Sequence, residues 1–151
     1  IFTNKDILER QKKFDDILQC SSDDWRGFDF EPGIDPKILR GKIDKIFSGR
    51  HDFSMDFYPN FSLGGLERYY NDPCFMPLEY KARCLSPWLA AYIFPEGTVR
   101  PCLNCTYSYG SIKDLPFSKI WNSPKAVKYR QALRENKIFP ACVRCTELYR
   151  Y

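Results

Sequence analysis

The spacing of the cysteines is the feature that most constrains this chain. Seven cysteines occur in 151 residues, and five of them lie between Cys84 and Cys145. Two C-x-x-C pairs, Cys102 with Cys105 and Cys142 with Cys145, place thiols where one turn can point both sulfurs at a metal centre while its free N–H groups hydrogen-bond to them. Paired spacing in a chain with a single histidine favours reduced, metal-binding thiols over a disulfide framework. The spacing therefore predicts a thiolate metal site.

Two ligand sets compete for these thiols. A zinc ribbon would use Cys102, Cys105, Cys142 and Cys145, but 36 residues separate its two pairs, whereas such ribbons separate them by roughly 15 to 20. That set also leaves Cys84 unexplained. The second set is Cys84, Cys102, Cys142 and Cys145, which suits a 4Fe-4S cluster because the cluster is larger than one ion and takes four thiolates from separated segments. The spacing favours the cluster, and zinc remains the alternative.

Composition excludes several classes of protein. The 23 basic and 19 acidic residues give a net charge of +4, which does not call for a nucleic-acid partner. No apolar run is long enough for a membrane span, and the length suits one domain, or one domain with a small appendage. The chain opens Ile1-Phe2-Thr3, without an initiator Met or a leader, which predicts a piece of a longer cytoplasmic protein.

Periodicity predicts mainly helices in the first half of the chain. One helix begins after Thr3 as its N-cap and ends near Cys20, and a second covers about residues 36–48, with proline at its first position. Residues 51–58 alternate between apolar and polar, which predicts a strand that is covered on one face. A short helix is predicted over residues 63–70.

Five aromatic residues in this half have two interpretations. Packing in a hydrophobic core is the expected role, and lining a substrate cavity is the alternative. These residues are Trp25, Phe28, Phe30, Phe53 and Phe57. The stretch that carries the first three is predicted to form a short strand or a packed loop.

A β-hairpin is predicted in the second half. Residues 88–94 are almost wholly apolar, residues 95–97 have turn chemistry, and residues 98–103 can run back antiparallel. The ends of this hairpin carry Cys84 and Cys102. It therefore brings together two cysteines that are far apart in sequence.

Two helices are predicted after the hairpin. A short one falls within residues 114–121, and serine followed by proline begins a longer one over about residues 123–136. Cys142 and Cys145 are predicted in the loop beyond it. Helices combined with a hairpin give the α+β class.

The cysteine pattern also resembles that of a known family. Cys84, twelve residues, Gly97, four residues, Cys102 and the distant pair Cys142-x-x-Cys145 resemble the SPASM or twitch auxiliary-cluster domain. That domain lies at the C-terminus of many radical SAM enzymes.

Two further stretches carry the resemblance. Residues 93–102, I-F-P-E-G-T-V-R-P-C, resemble the hairpin of that family, and residues 109–123, Y-G-S-I-K-D-L-P-F-S-K-I-W-N-S, resemble its glycine, short helix and Trp-Asn-Ser segment. The resemblance covers Cys84 to Cys145, somewhat under half of the chain. The predicted strand over residues 51–58 and the helices before it resemble the tail of a radical SAM partial α/β barrel.

The resemblance implies two regions. Residues 1–80 would be the end of the partial barrel and a linker, and residues 81–151 the hairpin-plus-helix auxiliary-cluster domain. It also implies one 4Fe-4S cluster, held by Cys84, Cys102, Cys142 and Cys145. This cluster would support substrate binding or electron transfer during radical-based modification of an unknown substrate, such as a peptide or a small molecule.

Two departures from the family limit what this chain can do alone. The loop C-x-x-x-C-x-x-C, which binds the cluster that cleaves S-adenosylmethionine in that family, is absent, and Cys20 and Cys74 stand alone. We therefore expect no activity from this chain by itself. S-adenosylmethionine and a second 4Fe-4S cluster would belong to a missing N-terminal radical SAM core, which is the implied partner. The second departure is that the full SPASM pattern supplies cysteines for two auxiliary clusters, whereas only one four-cysteine set is complete here. Cys105 is left over as an extra or alternative ligand, or as an idle thiol, which is the preferred interpretation. No catalytic residue is predicted, because His51 has no identifiable partner.

Overall fold

The first half of the chain is helical. The computed structural model describes residues 2–77 and 83–150. The helical segments of this half are α1 (Lys5–Leu18), a 3₁₀ helix (Asp23–Phe28), α2 (Pro36–Phe47) and α3 (Leu63–Asn71). The three predicted α-helices are confirmed. The 3₁₀ helix replaces the short strand or packed loop predicted there.

Side-chain caps explain where these helices begin. Asn4 Oδ1 accepts a hydrogen bond from the backbone N–H of Ile7 at 2.9 Å, so Asn4 caps α1 and the prediction of Thr3 as the cap is wrong. The N–H of Thr3 donates instead to the carbonyl of Phe28 at 2.8 Å. At α2, proline occupies the first position as predicted, and Asp35 caps the helix.

The strand predicted over residues 51–58 is wrong. This stretch is irregular. Phe53 is 68% exposed, while Phe57 packs edge-on against Phe47 of α2 with ring centroids 5.1 Å apart. An alternating pattern forms a stable strand only when a neighbouring strand pairs with it. No strand of the described sheet pairs with these residues.

A small antiparallel sheet begins the second half. Its strands, in the order β1-β2-β3, are β1 (Tyr92–Ile93), β2 (Thr98–Arg100) and β3 (Gly110–Ser111). Tyr92 pairs with Arg100, and Val99 pairs with Gly110. The predicted hairpin is confirmed, but its first strand is shorter than expected because Trp88 lies in helix α4 (Ser86–Leu89). The third strand was not predicted.

The turn between β1 and β2 depends on Gly97. Its N–H donates to the carbonyl of Phe94 at 2.8 Å, and its φ of 92° lies in the region that favours glycine. A Cβ at this position would lie 3.1 Å from Ser111 Oγ and 3.1 Å from Lys113 Cγ. Gly97 is therefore required by backbone conformation and by crowding.

We expect Gly97→Ala to lower the free energy of unfolding by about 1–2 kcal/mol, since alanine is strained at this φ. Urea unfolding of the iron-free chain measures the change. Gly41→Ala is the matched control, because Gly41 lies within α2 with open space around its Cβ position. That control should raise the free energy of unfolding by roughly 0.5–1 kcal/mol. Equal losses in both variants would contradict the strain at Gly97.

The C-terminal part is helical. Its segments are α5 (Phe117–Trp121), α6 (Pro124–Asn136) and two 3₁₀ helices (Pro140–Arg144 and Thr146–Tyr149). Ser123 Oγ accepts a hydrogen bond from the N–H of Ala126 at 3.2 Å and caps α6. The two predicted helices are confirmed. Cys142 lies in a 3₁₀ helix rather than in a loop, and Cys145 follows it directly.

Two hydrophobic clusters stabilise this mixed α and β structure. The first joins the start of α1, α3 and the C-terminal 3₁₀ helices, and it includes Ile7 and Tyr149. The second joins the end of α1, the sheet and α6, and it includes Leu18. Cys84 and Cys142 pack against both clusters. Residues from both halves of the chain therefore surround these cysteines.

The predicted boundary between residues 80 and 81 lies outside the described residues, and the division into two regions stays a prediction. Across residues 2–77 and 83–150, none of the helices has the length and apolar character that crossing a bilayer demands.

Candidate metal centre

Four cysteines line one cavity between the hydrophobic clusters. The cavity has a volume of about 300 Å³, and its wall includes Cys84, Cys102, Cys142 and Cys145. These are the four residues of the second ligand set. Three separate segments supply them: the chain just before α4, the loop after β2, and the C-terminal 3₁₀ helices.

Local structure explains how these segments meet. Antiparallel pairing of β1 with β2 reverses the chain between Cys84 and Cys102, as the hairpin predicted. In the C-terminal segment, the N–H of Cys145 donates to the carbonyl of Cys142 at 3.0 Å, which forms the tight turn typical of a C-x-x-C pair.

The remainder of the cavity wall is largely apolar. Its apolar and aromatic residues are Trp25, Phe28, Pro87, Pro101, Leu103, Tyr129, Leu133 and Leu148. Trp25, which is 3% exposed, and Phe28 come from the N-terminal 3₁₀ helix, so both halves of the chain build the site. Of the five aromatics with two interpretations, these two line this cavity, and Trp25 also belongs to the buried core, as expected. Core packing is wrong for Phe30 and Phe53, which are exposed.

Burial raises the pKa of the thiols around the cavity. The pKa of Cys84 rises to about 11, and the pKa values of Cys142 and Cys145 also lie above the ordinary value. The pKa of Cys102 is also raised, mainly by the hydrogen bond with Cys105 and further by burial. At neutral pH these thiols hold their protons in the metal-free chain. A metal centre must therefore displace protons when it binds.

Backbone groups hydrogen-bond to three of the four cavity sulfurs, and Phe139 supplies the bond to Cys142. The N–H of Ser86 hydrogen-bonds to the Cys84 sulfur, and the N–H groups of Glu147 and Leu148 hydrogen-bond to the Cys145 sulfur. These bonds lower the three pKa values against the larger effect of burial. N–H···S bonds stabilise thiolates and help to set the potential of an iron–sulfur cluster.

Cys105 is not in the wall of the four-thiol cavity, but its thiol hydrogen-bonds to Cys102, which is. Its Sγ lies 3.8 Å from Cys20 Sγ, and its hydrogen bonds with the Cys102 and Cys20 thiols lower its pKa while raising the pKa of both partners. Cys20, which stands alone in the sequence, therefore has a thiol partner in the structure. Cys74 is exposed. Sequence spacing could not reveal the Cys20–Cys105 contact, because it joins positions 85 apart.

The four cavity thiols are arranged around a volume that suits a cluster, rather than around the position of a single metal ion. Among the described residues, no three His, Cys, Asp or Glu side chains are placed to hold a single metal ion. The four cysteines of the zinc alternative, Cys102, Cys105, Cys142 and Cys145, do not all line one of the two cavities described below. Cys105 lines a smaller cavity of about 10 Å³ with Cys20, whereas Cys145 lines only the larger one of these two. Cys102 and Cys142 border both.

Arg144 holds the turn between Cys142 and Cys145 against α3, a role that the sequence did not predict. It is 2% exposed, and its Nε donates to the carbonyl of Tyr69 at 2.9 Å while Nη2 donates to the carbonyl of Asp72 at 2.6 Å. The guanidinium carbon lies 4.5 Å from the centre of the Phe2 ring. Burial lowers the pKa of Arg144. An arginine between the two cysteines of a C-x-x-C turn was the only sequence signal for this role.

The phenol of Tyr69 contacts the same turn and predicts a pH dependence of stability. Its hydroxyl donates to the carbonyl of Arg144 at 3.4 Å, and burial raises its pKa from 10 to about 12. Because the folded state holds this proton more tightly, the stabilisation is complete below pH 10 and is lost as the pH rises to 12. We expect the free energy of unfolding to fall less steeply over this window in Tyr69→Phe than in the wild type. Urea midpoints at several pH values measure both slopes, and equal slopes would contradict the prediction.

Comparisons with known proteins identify the domain around the cavity. Residues 84–146 match the SPASM family model, described as an iron-sulfur cluster-binding domain. A search of the curated proteins and a search of the solved structures returned no significant match. The matched segment begins at Cys84 and ends just after Cys145, and it supports iron–sulfur binding, whereas no comparison supports zinc. Residues 84–146 of this chain, which hold all four cavity cysteines, are therefore similar to a SPASM iron-sulfur cluster-binding domain.

Proposed function

We propose that Cys84, Cys102, Cys142 and Cys145 hold one 4Fe-4S cluster. The observation that carries this proposal is that all four thiols line one cavity of about 300 Å³. The donor set fits the group, because a 4Fe-4S cluster takes one thiolate at each of its four irons. The SPASM match over the same residues supports it independently.

The surroundings of the thiols favour a role in electron transfer. When bound, a 4Fe-4S cluster supplies a one-electron carrier. Four cysteine ligands leave no iron open to a substrate, so this ligand set argues for electron transfer or structural support over direct substrate binding. The apolar wall and the N–H groups aimed at Cys84 and Cys145 provide two means by which proteins set cluster potentials, namely limited solvent access and hydrogen bonds to sulfur.

We further propose that this chain acts as the C-terminal auxiliary-cluster region of a radical SAM enzyme in the cytoplasm. SPASM domains occur with a radical SAM partner region, which supports the proposal. Cleavage of S-adenosylmethionine would require a cluster on a C-x-x-x-C-x-x-C loop, and this chain has no such loop. Its role would be to support a radical reaction on an unknown substrate, a peptide or a small molecule.

Anaerobic reconstitution tests the cluster proposal directly. The full chain, incubated with ferrous iron and sulfide and then desalted, should be brown and contain about four irons and four sulfides per chain. Reduction with dithionite should bleach the visible absorption and produce the paramagnetic signal of a reduced cluster. A colourless protein that retains one zinc per chain after exposure to both metals would overturn the proposal.

A further inference from the structure

The contact between Cys20 and Cys105 forms a site that the proposed cluster does not use. Their sulfur atoms lie 3.8 Å apart, within contact distance but without a bond. Cys105 is 8% exposed, and Cys20 is half-buried two positions after the end of α1. The pair therefore combines one reachable thiol with one protected thiol.

Two hydrogen bonds between Ser21 and Thr106, one of them to the threonine hydroxyl, hold the two segments together beside this pair. Thr106 Oγ1 accepts a hydrogen bond from the N–H of Ser21 at 2.7 Å, and the N–H of Thr106 donates to the carbonyl of Ser21 at 3.2 Å. The residues that follow each cysteine are thus joined in both directions. Such pairing limits how far the sulfurs can move apart.

We propose that Cys20 and Cys105 form a redox-active pair that closes to a disulfide under mild oxidation. With a small-molecule disulfide as oxidant, the Cys20 thiol gives up its proton as its sulfur attacks one sulfur of that disulfide, and one small thiol leaves with the proton. The Cys105 sulfur then attacks the Cys20 sulfur, the protein S–S bond forms, and the second small thiol leaves with the proton from Cys105. The two cysteines lose two electrons and two protons, and the small disulfide gains both.

Closure of this bond would fix one wall of the four-thiol cavity. The 3₁₀ helix Asp23–Phe28 begins three positions after Cys20 and supplies Trp25 to the cavity wall. A bond to Cys105 would tie that helix to the loop that carries Cys102. A link across 85 positions also restricts the unfolded chain, so the oxidised form should unfold at a higher temperature.

Oxidation with glutathione disulfide tests the proposal. The full chain is treated before and after iron loading, its free thiols are alkylated, and it is digested with chymotrypsin. Cleavage after Leu103 separates Cys102 from Cys105. We expect a cross-linked peptide that contains Cys20 and Cys105, loss of both thiols from the alkylated pool, and their recovery with dithiothreitol. Because the cross-link is expected with and without iron, failure of the cluster proposal leaves this test intact.

Two variants make the test decisive. Cys20→Ser should abolish both the cross-link and the rise in the unfolding temperature. Cys74→Ser should keep both, since Cys74 is exposed and lies outside the pair. In the wild type, a mixed disulfide with glutathione at Cys74 shows that the oxidant has acted. The proposal is overturned if Cys74 is modified while Cys20 and Cys105 stay alkylatable, or if Cys105 is bonded instead to Cys102 or Cys142.

Discussion

Cys84→Ser should lose most of the reconstituted iron, whereas Cys105→Ser should retain it. Cys84 lines the cavity with three other thiols, whereas Cys105 is not in the cavity wall and lies 3.8 Å from Cys20. Loss of a direct ligand should weaken iron binding by more than the roughly 10- to 100-fold that follows loss of an outer partner. Iron content and visible absorption after anaerobic reconstitution measure the difference. A zinc ribbon predicts the reverse order, because its ligands include Cys105 and exclude Cys84.

Cys74→Ser is the matched control for this pair of variants. Cys74 is exposed, so its loss removes a thiol without touching the site. It should bind as much iron as the wild type. If Cys105→Ser loses iron while Cys84→Ser retains it, the proposed ligand set is wrong. If both lose iron, Cys105 takes part in binding and the set contains more than the four cavity thiols.

Local signals explain why the C-terminal half was the more predictable. Serine with proline at 123–124 marks the start of α6 because the cap and the preset φ of proline act within a few residues. Gly97 marks the turn for the same reason, since its φ and its crowding are set nearby. The cysteine spacing added a long-range prediction, and the structure places those four thiols around one cavity. Their ligation of a cluster stays a prediction.

Features that depend on distant partners could not be predicted from the sequence. The alternation over residues 51–58 is a property of one segment, but a strand requires a second segment to pair with it. The contact of Cys20 with Cys105 joins positions 85 apart, and no local pattern encodes it. The same holds for Trp25, which reaches the cavity wall only because its 3₁₀ helix packs beside the hairpin end.

Arg144→Ala should be among the most destabilising substitutions in the metal-free chain. The buried guanidinium donates to the carbonyls of Tyr69 and Asp72. Its removal takes that donor from the Tyr69 carbonyl and leaves the Asp72 carbonyl with only the N–H of Phe75. A hydrogen bond from a charged donor contributes about 1.5–3 kcal/mol, so we expect the loss of two such bonds to lower the free energy of unfolding by about 3 kcal/mol or more. Urea unfolding measures the loss. Iron should also dissociate faster from the loaded chain, because the turn from Cys142 to Cys145 loses its anchor to α3.

Two further variants separate the geometry of Arg144 from its charge. Arg144→Lys keeps the charge, but one compact and strongly hydrated ammonium cannot reproduce the planar fork that reaches two carbonyls. It should therefore lose most of the stability that Arg144→Ala loses. Arg26→Ala removes an arginine whose side chain is 70% exposed and which pairs with Asp23, and it should cost less than about 1 kcal/mol. If Arg144→Ala were no more costly than Arg26→Ala, the two carbonyls would not depend on the guanidinium. The C-x-x-C turn would then hold its shape through its own 3₁₀ hydrogen bonds.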